Sequence, residues 1–102
     1  MIKRYGVKTR SGSNYYIEDH THLLGRPTWL IFVGNSKYFI IMLSDNPHDE
    51  SSEVTPYENI LSIEQFRNKH IIFFQEKVDI KDRATMAMWQ NTSVIDDVII
   101  FK

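Results

Sequence analysis

Between Arg4 and Arg10 the chain reads "RYGVKTR", and its side chains sort by alternate positions. Tyr5, Val7 and Thr9 fall on one side, and Arg4, Lys8 and Arg10 on the other. A repeat of two is that of a half-buried strand and does not fit the 3.6-residue repeat of a helix. The "SGS" at 11–13 supplies a glycine for a tight reversal, and "NYYIE" returns as the second arm of a hairpin. A second hairpin follows. "TWLIFV" (28–33) and "KYFIIML" (37–43) are rich in β-branched and aromatic residues and nearly continuous in apolar character. Such runs suit central strands covered on both faces, and Gly34, Asn35 and Ser36 form a turn able to take positive φ.

The remainder keeps to short extended runs. "SDNPHDESSE" (44–53) has turn chemistry and too few apolar groups to bury, which predicts a mobile acidic loop. "TPYENILSIEQF" is expected to resume as an extended segment. "HIIFF" (70–74), "KVDIKD" with Val78 and Ile80 inward, "TMAMWQ" and "VIDDVIIF" complete the set, the last two separated by Asn91, Thr92 and Ser93. "SIEQFRNK" can form one helical turn and "ATMAMWQ" has helix-favouring residues, but both are too short to stand without tertiary support. Seven to nine strands at regular spacing predict one all-β domain over 1–102, a small SH3-like or related β-barrel or a compact sandwich with one long acidic loop. Closing the sheet would also remove edges that such sequences would otherwise expose.

Composition then removes several classes of activity. The formal net charge is −1, which gives no overall attraction to nucleic acid or membrane. Charge is nevertheless uneven. Lys3, Arg4, Lys8 and Arg10 make the first ten residues basic, while Asp45 to Glu58 holds five acids and no Lys or Arg. The absence of cysteine excludes disulfides, thiolate metal sites and thiol catalysis, and it suits a reducing cytoplasm. No secretion signal is read at the start, and the longest apolar run, Trp29 to Val33, is too short to span a bilayer.

Several groups of residues are candidates for function. In "EDHTH" (18–22), Glu18, His20 and His22 would share one side of a strand, the minimum set for a metal ion. His48 and His70 are present, but nothing in the sequence places them nearby as a fourth ligand, so no cofactor is expected and the histidines read as polar residues ahead of Gly25 and Pro27. Asp96 and Asp97, being adjacent, would point to opposite faces of a strand, which spoils them as an acid–base pair. No nucleophile elbow or phosphate-cradling loop is present either, so an enzyme is not expected.

The second group is the basic strand face, Arg4, Lys8 and Arg10, beside Tyr16. Cations that follow a phosphate backbone and a ring that stacks a base are what small barrels offer single strands or nucleotides. The acidic segment opposes that reading. Its residues Asp45, Asp49, Glu50 and Glu53 could instead dock on a basic patch of a protein. The third group is Met86, Met88 and Trp89, which alternation divides between two faces, leaving one as an adaptable contact surface. Trp29, Phe32, Phe39, Phe73 and Phe74 are expected to fill the interior.

The opening "VKTRSGSNYYI" and the closing "WQNTSVIDDV" resemble those of a loose group of small β-rich proteins from phages and other mobile elements. The matching residues are Thr9, Arg10, Ser13, Tyr15, Thr92, Ser93 and Ile95, about a fifth of the chain with their neighbours. "VTPYENILSIE" in turn resembles a strand recurrent in SH3- and Sm-like barrels, in which a polar turn precedes an Ile-x-x-Ile-Glu run. These likenesses bring no catalytic residue. They imply a binding role, including inhibition of a host or defence component. The resulting expectation is a non-enzymatic module acting on a protein partner, with single-stranded nucleic acid or a nucleotide as the alternative ligand and a metal-dependent enzyme third. Homodimerisation through an uncapped strand is a further expectation.

Overall fold

Both anticipated hairpins form in the computed structural model, which describes residues 2–49, 51–75 and 89–101. Strands β1 (Lys3–Thr9) and β2 (Asn14–Asp19) pair antiparallel, with Tyr5 opposite Ile17 and Val7 opposite Tyr15. Strands β3 (Trp29–Val33) and β4 (Ser36–Ser44) make the second hairpin. Its turn places Gly34 at φ 60°, a left-handed conformation that a β-branched side chain resists. Gly34→Val is therefore expected to cost about 1–2 kcal/mol, read as a lower urea midpoint.

Three further strands extend the sheet, and one patches it. β5 (Val54–Pro56) and β6 (His70–Phe74) pair with β4, β7 (Gln90–Asn91) pairs with β6, and β8 (Ile95–Phe101) pairs with β1. The order is β7-β6-β4-β3-β2-β1-β8, every pairing antiparallel, and the sheet curls into a half-barrel. One end of the seam is stitched by backbone. Asn68 N–H donates to Ile95 O and Ile95 N–H to Lys69 O, each at 2.8 Å. Thr92 N–H donates to Ile71 O at 3.0 Å, and Ile71 N–H to Thr92 Oγ1 at 3.0 Å.

Inside the curl, alternate residues form the main core: Tyr5, Val7, Ile17, Trp29, Ile31, Ile40, Leu43, Ile71, Phe73 and Ile95. The expected extended segment over 55–66 is instead mostly two 3-10 turns, Tyr57–Asn59 and Ile63–Phe66, and only its start, within β5, is a strand. The Gln65 side chain folds back to accept from Leu61 N–H (2.6 Å) and Ser62 N–H (2.9 Å), which stops the strand and starts the turn. Ile60, Ile63 and Phe66 are thereby driven beneath the sheet, with Phe66 wholly buried.

β4 is buried on both faces. A bulge at Ile41 shifts its alternation, so Ile40 and Leu43 enter the main core while Ile41 and Met42 join Ile72 on the other side. Phe39, Phe74 and Trp89 pack on that second cluster rather than in the main interior, and Phe32 lies half-buried on the outer face. Those three phenylalanines therefore depart from the expected single core. "KVDIKD", Met86 and Met88 lie outside the described residues, as does Glu50. Among the described residues, no helix is long and apolar enough to cross a membrane.

Candidate binding face on β8-β1-β2-β3

Strand alternation sends Arg4, Gly6 and Lys8 of β1 to the outer surface, where the register sets them in rows with their neighbours. One row runs Ile99, Gly6, Tyr16, Phe32 and Lys37 across five strands, and the next runs Phe101, Arg4, Glu18 and Leu30. Tyr16 stands with its ring 5.4 Å from that of Phe32 and 6.0 Å from that of Phe101. Gly6 makes this possible. A Cβ there would come within 3.2 Å of Phe101 Cζ, so the missing side chain lets the Phe101 ring lie over the strand. The result is a shallow open trough of about 390 Å³, lined by Gly6, Asn14, Tyr16, Ile99 and Phe101.

At one end of the trough sits a polar cluster. Glu18, with a side chain only 16% exposed, bonds to His20 Nε2 at 2.8 Å, accepts from the Tyr16 hydroxyl and lies 3.9 Å from Arg4 Nε. Burial raises the Glu18 carboxyl, but hydrogen bonds from His20 and Tyr16 and the charges of His20 and Arg4 outweigh it and hold it below its ordinary value. Burial, then Glu18, pushes the Tyr16 hydroxyl above its usual range, against the pull of Arg4. The sign for stability follows from Glu18. Its contribution is complete above the ordinary glutamate value of 4.5 and is lost as pH falls through the lower folded value. Glu18→Gln is expected to lower stability at neutral pH and to flatten the acid limb below pH 4.5, measured by urea midpoints across that window. Superimposable acid limbs for the two proteins would exclude Glu18 as their source.

The histidine stretch is thus divided by the fold. Asp19 ends β2, and its Oδ1 accepts from Thr21 N–H to open a single helical turn, α1 (Thr21–Leu24), closed by Gly25 at φ 70°. This turn, which period-two reading does not anticipate, takes His22 off the strand and leaves it exposed, while His20 stays on Glu18. No group of three His, Asp or Glu placed to hold a metal ion occurs among the described residues.

Several of the remaining candidate residues are engaged within the chain. Arg10 Nη2 is 3.0 Å from Asp96, and Arg67 Nη1 is 3.3 Å from Asp97. A bulge in β8 places both aspartates on the exposed side, correcting the expectation that they face opposite ways. Lys8 stands opposite Asp97 in the register. The acidic loop is pinned rather than loose: Asp45 N–H donates to Glu53 O at 3.2 Å, Asn46 N–H to Ser52 Oγ at 2.9 Å, and the Asp45 carboxylate pairs with Lys69. Asp49 accepts from Ser51 N–H and Oγ, and Trp89 is half-buried on Ile41, Met42 and Ile72.

The residues that sequence reasoning passed over are Gly6, Phe32, Ile99 and Phe101. A signal for two of them exists in "VIIF", an unbroken apolar run that ends a strand whose neighbour alternates. No protein-family model, no curated protein and no solved structure matches this chain.

Proposed function

We propose that this chain is a non-enzymatic protein-binding module and that it meets its partner with the outer face of β8-β1-β2-β3. The observation that carries this reading is the stripe of exposed Ile99 and Phe101 and half-buried Tyr16 and Phe32 around the Gly6 trough, bordered by Arg4 and Lys8. Ile99 and Phe101 are 48% and 49% exposed although they are large and apolar. Contiguous aromatic and aliphatic surface with an arginine at its margin is the composition of an interaction hot spot. Its narrower form, inhibition of a host or defence component, is supported by the terminal motifs alone and requires the bound protein to lose activity.

Capture on immobilised protein, compared between wild type and Tyr16→Ala with Phe101→Ala, tests it. A specific protein retained by wild type, lost with the double variant and kept by a Leu61→Ala control supports the face. Equal retention by the double variant would move the contact elsewhere. The alternative, a single-stranded nucleic acid or nucleotide ligand, draws support from Arg4 standing beside Tyr16. The pairing of Arg4 with Glu18 and of Arg10 with Asp96 weighs against it, since phosphate would have to displace carboxylates. Salt-dependent binding of a labelled oligonucleotide, weakened by Arg4→Ala, would favour that alternative.

A further inference from the structure

Among the described residues the outer edge of β8 beyond Ile95 has no pairing strand, and the direction of its backbone groups follows from the register. Thr9 N–H is directed to Ser13 O on the β2 side, and Arg10 N–H to Val94 O on the β8 side. Along β1 these directions alternate, so Lys8, Gly6 and Arg4 turn their backbone groups toward β8. Their register partners there are Asp97, Ile99 and Phe101. Val98 and Ile100 consequently aim their N–H and C=O groups at the outer edge, where the Val98 N–H donates to Asp97 Oδ1 at 3.0 Å. Ile95 is occupied by Asn68 and Lys69, but among the described residues no strand pairs with β8 beyond it on that side. The same stretch bares apolar side chains on both faces: Ile99 and Phe101 outside, and Ile100, 60% exposed, on the other. An uncovered, hydrophobic strand edge is a template for another strand.

We infer that β8 pairs antiparallel with β8 of a second copy of this chain, about a two-fold axis at Ile99. In that register Val98 faces Ile100 of the copy and Ile100 faces its Val98, so the Ile100 backbone groups gain partners and the Val98 N–H exchanges its Asp97 carboxylate for the Ile100 carbonyl of the copy. Ile99 meets Ile99 of the copy on the outer face. The row Phe32, Tyr16, Gly6 and Ile99 then continues into the same row reversed, giving one apolar stripe across both molecules.

Charge selects this arrangement over its rivals. A parallel, in-register pairing would set Asp97 beside Asp97. The antiparallel pairing separates them by about 14 Å along the strands, four residues at the strand rise. It also brings each Asp97 opposite Phe101 of the copy, whose own neighbour in the row is Arg4. A peptide of another protein has no such reason to match both the apolar run and the acids at its end. This inference does not rest on the partner-binding reading: Ile99 belongs to both surfaces, but the edge groups of Val98 and Ile100 do not line the trough, and a dimer that survives Tyr16→Ala separates the two.

Sedimentation equilibrium of the wild-type protein tests it together with charge variants at the axis. Ile99→Asp and Ile99→Lys are each expected to weaken self-association at least tenfold. An equimolar mixture of the two is expected to restore a dimer, since residue 99 faces itself. The chain has no cysteine, so Ile99→Cys supplies a single thiol that should form an intermolecular disulfide on oxidation without altering the fold. A wild-type protein that stays monomeric, a dimer indifferent to both charges, or a dimer in which Ile99→Cys fails to cross-link would overturn the proposal. So would a monomer whose Ile100 amide gains exchange protection only when a different protein is added.

Discussion

Trp29→Ala is expected to remove about 3–5 kcal/mol of stability, the range for truncating a buried large aromatic. A domain of this size has a net stability of roughly 5–15 kcal/mol, so the variant should be marginal or unfolded at ordinary temperature. Trp29 is 2% exposed and joins the two halves of the interior. Its ring lies 6.0 Å from that of Tyr5 on β1 and 5.2 Å from that of Phe66 on the second 3-10 turn. Its indole N–H donates to Ile60 O at 3.2 Å. The side chain thus ties the sheet to the segment that plugs it, by packing and by a buried hydrogen bond. Trp29→Phe separates the two contributions. It keeps most of the apolar contact but leaves the Ile60 carbonyl without its donor, and about 1–3 kcal/mol should be lost. Urea denaturation with an unchanged m-value would check both. An alanine variant that loses less than the phenylalanine one would show that the plug is held elsewhere.

The elements legible in the sequence are those whose burial is one-sided and local. "RYGVKTR" announces β1 because each inward residue, Tyr5, Val7 and Thr9, is buried by its own sheet. "TWLIFV" and "KYFIIML" announce strands covered on two faces, as β4 is. What escaped notice depends on atoms remote in the chain. "ENILSIEQF" has enough β-branched residues for a strand, yet the Gln65 side chain caps a turn and Phe66 finds its place under Trp29. The division of Phe32, Phe39 and Phe74 from the main core depends on the bulge at Ile41 and on which side the sheet curls, which hydrophobicity alone does not encode. In the candidate face, Arg4 and Tyr16 were visible as neighbours across a hairpin. Their link to Phe101 required the pairing of β1 with a strand some ninety residues away, and Gly6 acquired meaning only once that ring lay over it.

The seam of the half-barrel offers a sharper test, because a single hydroxyl joins its backbone bonds. Thr92 is 2% exposed, between β7 and β8, where the chain turns from one end of the sheet to the other. Its Oγ1 accepts the Ile71 N–H at 3.0 Å and donates to Ser93 O at 2.8 Å, while its own N–H donates to Ile71 O. His70 Nδ1 lies 2.8 Å from Thr92 O, so the residue is bonded on every polar atom it has. Thr92→Val keeps shape and branching but strands a buried N–H on β6, and about 1–3 kcal/mol should be lost, compared with well under 1 for Thr92→Ser if its hydroxyl takes the same position. The location of the damage matters as much as its size. Hydrogen exchange at Ile71 and at the Ile95 amide, which bonds to Lys69 O, should accelerate together, while β2 and β3 keep their protection. Uniform acceleration through all strands would mean that the seam and the sheet open as one unit, and that Thr92 closes nothing the rest of the molecule does not already hold.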